Sequence, residues 1–561
     1  MIETNQKIVV HPTSHLLTGK EVMERIKDPD FQSQWDKLYE SCEWSTVFQN
    51  RLFVCAWYET YSKEYTPIMV IEEEEGELKG LLAMTALIKG KRLKHQKIKS
   101  KIVGAGHYEA EYQSWLANKT NSDDFITGAL ELIKIEFPQC DIYFRYLIPQ
   151  VPMNWLQAHE TWNKNCVKQA YKRPLVRMND PQIDKLFRKK EFKNKYNRLK
   201  RLGNLSFEKI SDLEEFNEIL PILIEQFEFR QLAMFNKSQF SDNPEKIQLL
   251  QKLFKIGLLH TTILKVDNEI VASILGLKEN NWYHLGAINT HSPIFGNHSP
   301  GFVHFILLCE LLSHDPKIKF DLTPGGDAYK ERMANDHDFV TELCIPHSSM
   351  FKKRQFVKYQ LHKYLMKFNI RPMSLQLSMK KAKYNLKHWV GNLKSKGIVT
   401  TISHLQLQNT KSGADLHLFH SSPNKEFPIV KMDSLKDLLN YEENQKGTSS
   451  WDFLKDAMLK FAHEFHAITW VENGQLLGYA WLAEPGRWEQ LYQKQLPESE
   501  KHPVVVDIGY HPAIKDRLGL FLTSIAQKIQ QLKHHDKIFL SINNKERQLL
   551  QKVAELASAA S

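Results

Sequence analysis

The sequence predicts an α/β protein of the α+β kind, with mixed central sheets and more than one core. Length is the first reason: 561 residues exceed what one core holds, so two to four domains are expected. Composition is the second, because 42% hydrophobic and 25% charged residues are the proportions of an ordinary soluble globular chain. The third is a recurring order. Strand-like runs lead through a glycine-bearing loop into a helix and a further strand, in 261–333 and again in 504–556.

Taken in order, residues 1–30 read as a loosely structured lead-in without the apolar run of a secretory signal. Trp35, Leu38 and Tyr39, then Phe53, Trp57 and Tyr61, recur at helical spacing and predict two helices. Two strands joined at Glu75-Gly76 follow, then a glycine-containing loop (103–116), a helix in ITGALELIKIEF and a strand in CDIYFRYLI. These outline a first unit over 31–180. A second unit, 181–349, opens with the basic helix RKKEFKNKYNRLKR. Helices over 212–232 and 244–256 follow, then three strands within 261–289, turning at Asp267-Asn268 and Glu279-Asn280-Asn281. The loop THSPIFGNHSPG enters FVHFILLCELL, which His304 and Glu310 interrupt. It predicts a buried core helix, too short and broken to span a bilayer. The strand KIKFDL completes an order that resembles that of a GNAT-type core.

Residues 350–398 predict a helical pair broken near Pro372. Val357, Leu361, Tyr364, Leu365 and Phe368 line one face of it, and Leu375, Met379, Ala382, Leu386 and Trp389 line the next. A third unit, 399–561, carries a hairpin turning at Glu472-Asn473-Gly474 and a closing strand and helix.

The charge is unevenly spread. No Asp or Glu occurs from 343 to 414, where there are 14 Lys and Arg, so that stretch outweighs the chain's net +10 and the remainder is net acidic. A global affinity for nucleic acid is not implied, and the few aromatics of the segment do not favour it. Two readings of the segment stand: a connector packed by its apolar faces, or a patch (351–396) on the anionic inner face of a membrane. The six cysteines contain no CxxC pair, which argues for reduced thiols, a cytoplasmic setting and no structural zinc.

Two stretches carry candidate chemistry. In NHSPGF, Ser299 suits a helix N-cap, Pro300 the first helical turn, and Gly301 close approach of another group. With His298 they form a helix tip fit for a diphosphate, or simply a well-capped core helix. In FDLTPGGDAYKERM (320–333), Asp321, Asp327, Tyr329 and Lys330 supply carboxylate, phenol and ammonium, the groups that acyl transfer requires. For Asp321, capping the turn is an equal reading. Weaker candidates for acceptor or donor contacts are His107, Glu111 and Tyr112 after Gly104 and Gly106, and Lys193 and Arg201 on the basic helix.

These stretches resemble a known family. FQNRLFVCAW is similar to a helix start written F-x-S-x-x-W, departing from it at Arg51 to Phe53. HYEAEYQSWL resembles that family's "DY" strand, with Glu111 in place of Asp. KNKYNRLKRLGNLSFE, HSPGFVHFILLCELL and FDLTPGGDAYKERM resemble its basic helix, its S-P-G helix and its F-D-x-x-x-G-D-x-x-Y-K ending. The family is the CelD/BcsL-type acetyltransferases of cellulose and exopolysaccharide biosynthesis, which pair two GNAT-like halves as the FemAB aminoacyltransferases do. The resemblance covers about residues 30–350. It implies an acyl-CoA-dependent acyltransferase, without a metal, whose cleft lies in the second half and whose acceptor is an amine or hydroxyl of a sugar or envelope precursor. Lys330, in a Tyr-Lys pair similar to the FemAB Phe-Lys pair, would steady the oxyanion or donor, and Asp327 would orient it. Transfer from aminoacyl-tRNA, and a non-catalytic role in polysaccharide assembly or anionic-surface binding, are the alternatives.

The third unit looks like a degenerate GNAT domain. Its pyrophosphate loop reads Asp516-Arg517-Leu518-Gly519-Leu520-Phe521, with one glycine and a bulky Phe where a small residue is expected. Leu550 or Gln551 stands where a tyrosine acid is expected. Weak or absent CoA binding is predicted there.

Overall fold

Strand formation begins inside the predicted lead-in. In the computed structural model, Ser14–Thr18 (β1) pairs antiparallel with Tyr65–Glu74 (β2), so residues 14–18 of the predicted lead-in belong to a sheet. The structure describes residues 14–87, 101–181, 183–368, 370–396, 414–420, 430–442, 448–492, 495–496, 502–533, 537–543 and 546–558. Residues 1–13 of the lead-in and 399–413 of the third unit lie outside them.

The remaining strands of the first sheet are Glu77–Leu87 (β3), Lys101–Gly104 (β4), Leu116–Ala117 (β5), Asp141–Leu147 (β6), Val167–Arg177 (β7), Leu205–Ile210 (β8), Leu259–Val266 (β9), Glu269–Glu279 (β10), Trp282–His291 (β11), Lys319–Asp321 (β12) and Asp336–Ile345 (β13). Their order is β1-β2-β3-β4-β6-β13-β7-β12-β11-β10-β9-β8, with β5 on β3. The predicted turn at Glu75-Gly76 closes as a primed hairpin: both residues have positive φ (51° and 79°), which joins β2 to β3 without splaying their twist.

The order of β6, β13, β7 and β12 departs from two side-by-side halves. β13 belongs to the second half by sequence yet pairs with β6 and β7 of the first, and β7 pairs with β12 of the second. Each half donates a strand to the other, so residue 180 is a boundary along the chain and not in space. The helix Arg51–Tyr61 begins at Asn50, whose side chain accepts from Leu52 N at 2.7 Å. The same Asn50 side chain and the Tyr39 hydroxyl donate to Glu279 at the end of β10, tying the first half's helices to the second half's hairpin.

A second sheet comprises Ala414–His420 (β14), Lys431–Met432 (β15), His466–Glu472 (β16), Gln475–Ala483 (β17), Val504–Tyr510 (β18) and Lys537–Asn543 (β19), in the order β14-β19-β18-β17-β16-β15. Phe229 and Ala233 of the helix Leu213–Phe235 enter the same apolar cluster as Leu438, Phe461 and Trp481 of this third unit. Trp451 Nε1 donates to Ala233 O at 3.0 Å.

The helical pair forms as predicted, Ser349–Lys367 and Pro372–Lys396. Its expected packing does not. Val357, Leu361, Tyr364 and Phe368 are exposed, as are Leu375, Met379 and Leu386, while Gln355 and Tyr359 on the opposite side of the first helix are buried. The Trp389 side chain lies outside the described side chains.

Candidate active site

The stretch 320–333 becomes a three-residue strand (β12), a turn and the short helix Ala328–Met333. β12 and β11 run parallel and pair only at Trp282–Lys319, Tyr283–Phe320 and His284–Asp321. β11 runs on to His291, so beyond His284 the two chains part. On its other edge β11 slips against β10 between Leu275 and Gly276, leaving Gly286 and Ala287 out of the ladder, with Ala287 at φ 36°. Parted strands leave main-chain N–H and C=O groups for another partner.

A cleft of about 380 Å³ opens at this fork. Its walls come from both halves: Phe48, Phe53, Glu111 and Arg145 from the first, and Lys246, His284, Gly286, Asn289, Thr323, Tyr329 and Lys330 from the second. Lys330 is largely buried. Its Nζ donates to Thr323 Oγ1 at 2.9 Å and stands 3.7 Å from Asp327, which Arg371 also approaches at 3.6 Å. Burial lowers the Lys330 pKa, and the charges of Asp327, Glu111 and Asp321 only partly oppose this. Tyr329 takes a 3.4 Å hydrogen bond from Asn289 and is pushed up to about 12, by burial first and the Asp327 charge second. Glu111 is paired with Arg145 at 2.9 Å. Its carboxyl is raised nonetheless, because burial outweighs the cation.

Asp321 does not reach the cleft. It is 0% exposed, accepts from Thr323 N at 2.8 Å, faces Arg173 at 3.4 Å and meets His284 Nδ1 at 3.0 Å. Burial alone would raise its pKa; the Arg173 charge and the His284 hydrogen bond hold it below the ordinary carboxylate value. Arg173 in turn forks onto Asp338 of β13. Asp321 is therefore a positioning residue: it fixes His284, which lines the cleft, and Thr323, which receives Lys330. His284 carries no motif signal, and only the parallel register with β12 sets it beside Asp321.

Of the other predicted residues, Tyr112 is buried, its ring 5.0 Å from the Arg173 guanidinium and 5.5 Å from the His284 ring, so it supports the site from behind. His107 lies outside the cleft walls and is driven down to about 4, by burial first and the Arg145 charge second. Lys193, on the helix Lys190–Lys200, and Arg201, directly after it, are solvent-facing. The same helix directs Lys195 over the Phe302 ring, at 4.5 Å, a pairing that sequence reading missed.

Pro300 opens the helix Pro300–Ser313 as predicted, but Ser299 sits in the left-handed region (φ 56°) and makes no side-chain cap. Gly301 lies against His291 at the end of β11: a Cβ there would stand 3.1 Å from the imidazole Nδ1. His291 is two residues beyond Asn289, the partner of Tyr329, so the helix tip and the Lys330 turn both border the far end of β11. Arg230 is there as well, donating to Thr290 Oγ1 at 3.3 Å; burial lowers it to about 10, with the Tyr329 phenol opposing. In front of the tip, Asn297 donates to Glu464 of the third unit at 2.5 Å, and the helix Ser450–Ala462 packs on residues 293–298.

Residues 187–331 match the family model described as an acetyltransferase (GNAT) domain. This matched stretch is similar to a GNAT domain and spans about a quarter of the chain. The match ends at Glu331, directly after Lys330, and takes in β8 to β12 but neither β7 nor β13, the strands that join this domain to the first half. No curated protein matches the sequence. Among solved structures, FemX is similar at 10% identity and a TM-score of 0.41, over 56% of this chain and 96% of that one. L-PGS from Bacillus licheniformis is similar at 12% identity and 0.37, over 60% and 96%. A tandem GNAT protein from the clavulanic acid biosynthesis pathway is similar at 8% identity and 0.33, over 59% and 98%.

In the third unit, β18 and β19 are likewise parallel and pair only at Val504–Phe539 and Val505–Leu540. There Arg517 forks onto Glu472 at 2.9 and 3.1 Å, and Phe521 is buried against Trp470 and over Gly478. Among the described residues, no group of three or more His, Cys, Asp or Glu is placed to hold a metal ion.

Proposed function

We propose that this protein transfers an acyl group from acyl-CoA to an amine or hydroxyl of a sugar or cell-envelope precursor bound in the cleft between its first two halves. The observation that carries the reading is the fork between β11 and β12, with Lys330 and His284 on its walls within a matched GNAT domain. The donor's extended amide arm pairs with the freed main chain of Gly286 to Asn289. Its diphosphate lies at the tip His298 to Gly301, near the half-buried guanidinium of Arg230. The acceptor enters from the side of Glu111 and Arg145.

His284, held at Nδ1 by the buried Asp321, takes the acceptor's proton as nitrogen or oxygen attacks the thioester carbon. Lys330, seated on Thr323, offsets the negative charge on the carbonyl oxygen. Collapse of the tetrahedral species breaks the carbon–sulfur bond, and the CoA thiolate leaves with a proton. The Tyr329 phenol stands at the same mouth to supply it.

The test is a thermal-shift panel of acyl-CoAs on the full chain, followed by acyl transfer to amino sugars with the best of them. Stabilisation by acyl-CoA that Arg230→Ala weakens, and turnover that Lys330→Ala removes, are expected. Transfer that depends on charged tRNA and ignores acyl-CoA would overturn the donor assignment.

A further inference from the structure

We propose that the helical hairpin over 349–390 is a docking surface for an anionic lipid bilayer, seated by two exposed apolar stripes and held by the cations beside them. The inference does not depend on the acyltransfer reading.

On the helix Ser349–Lys367, Met350, Val357, Leu361 and Tyr364 recur at spacings of seven, four and three, so they form one line along the helix. They are 81%, 64%, 53% and 61% exposed. On the helix Pro372–Lys396, Leu375, Met379 and Leu386 recur at four and seven and are exposed in the same way. These stripes cannot turn inward, because the other faces are committed. Tyr359 donates to Glu342 at 2.6 Å and Gln355 to Tyr143 at 2.6 Å. Lys380 donates to Phe235 O at 2.7 Å, and Lys381 pairs with Asp452 at 3.4 Å.

Charge selects the occupant. Residues 349–390 contain 11 Lys and Arg and no Asp or Glu. Lys353, Arg354, Lys363 and Lys367 pair with no described carboxylate. A second copy would set two such surfaces cation against cation, and a nucleic acid would leave the apolar stripes in water. An anionic bilayer satisfies both features: apolar side chains enter the acyl boundary and the basic residues meet the headgroups. Among the described residues no helix is long and apolar enough to cross a membrane, so the hairpin lies on the surface. Docking also bears on the cleft, since Arg371 in the hairpin's turn reaches Asp327, the neighbour of Lys330.

Flotation of the full chain with phosphatidylcholine vesicles, and with vesicles containing about 30% phosphatidylglycerol, tests the proposal. Binding to the anionic vesicles alone, falling at least about tenfold when salt rises from about 0.1 to 0.5 M, is expected. The double variant Val357→Asp/Leu361→Asp and the triple variant Arg354→Glu/Lys358→Glu/Lys363→Glu should each lower partitioning on the order of a hundredfold, with melting temperature unchanged. If either variant fails to fold, the lipid and salt dependence of the unmodified protein decides. Absence of flotation, equal binding to neutral vesicles, or a dimer that the aspartates dissolve would overturn the proposal.

Discussion

Lys330 is where burial and charge compete most directly. Its ammonium is lowered by burial and partly restored by Asp327, so activity that needs the cation is present at low pH and lost as pH rises through the lowered value. Asp327→Asn removes the strongest restoring charge and releases Arg371, so the alkaline limb of the kcat/KM profile should move to lower pH. Lys330→Ala should cost about 10²–10³ in kcat, read by steady-state transfer. His284→Gln should cost about 10²–10⁴, and Asp321→Asn should lower kcat with little change in KM for the acyl donor, as a positioning residue would. Arg173 is the stability counterpart. Removing its cation strands Asp321 at zero exposure, so Arg173→Met should cost about 3–5 kcal/mol in urea unfolding. Because the Asp321 pKa is depressed in the folded state, its stabilising contribution is complete above the ordinary carboxylate value. It is lost as pH falls through the folded one.

Elements decide where these side chains stand. The slip between Leu275 and Gly276 frees Gly286 and Ala287, and Gly276 permits it by lying under the buried Tyr283 ring: a Cβ would come within 2.4 Å of that ring. Gly276→Ala should therefore cost about 1–3 kcal/mol and reduce turnover together with melting temperature, measured on one preparation. Hairpin turns and helix periods were legible beforehand because they depend on neighbours in sequence: Glu75-Gly76 and Asn473-Gly474 need only positive φ, and the stripes of 350–390 need only a 3.6-residue period. Which side of an amphipathic helix faces the protein is not local. In 349–367 the buried side is that of Gln355 and Tyr359, whose polar groups find Tyr143 and Glu342, and the apolar stripe is left outside.

At the scale of the whole molecule, the exchange of β7 and β13 makes one sheet of two halves. Residues 1–180 and 181–349, produced separately, should each fail to unfold cooperatively in circular dichroism, and their mixture should recover a melting transition. Either half melting cooperatively by itself would contradict the exchange. The third unit shares a core with Phe229 and Ala233, and its Arg517 is engaged by Glu472. Titration of the full chain with acyl-CoA should thus give one site per chain, not two.

Local sequence determined the inventory: α+β class, a strand–loop–helix–strand order twice over, the turn residues, and a Tyr-Lys turn placed after a buried strand. Each of these follows from backbone sterics or from periodic burial within about twenty residues. Tertiary structure alone decided that Asp321 is a buried anchor for His284, that Glu111 and Lys330 share a cleft, and that two halves trade strands. Those facts depend on pairing between segments from 37 to more than two hundred residues apart, which is settled by sheet register and charge burial in the folded state and leaves no mark on spacing along the chain.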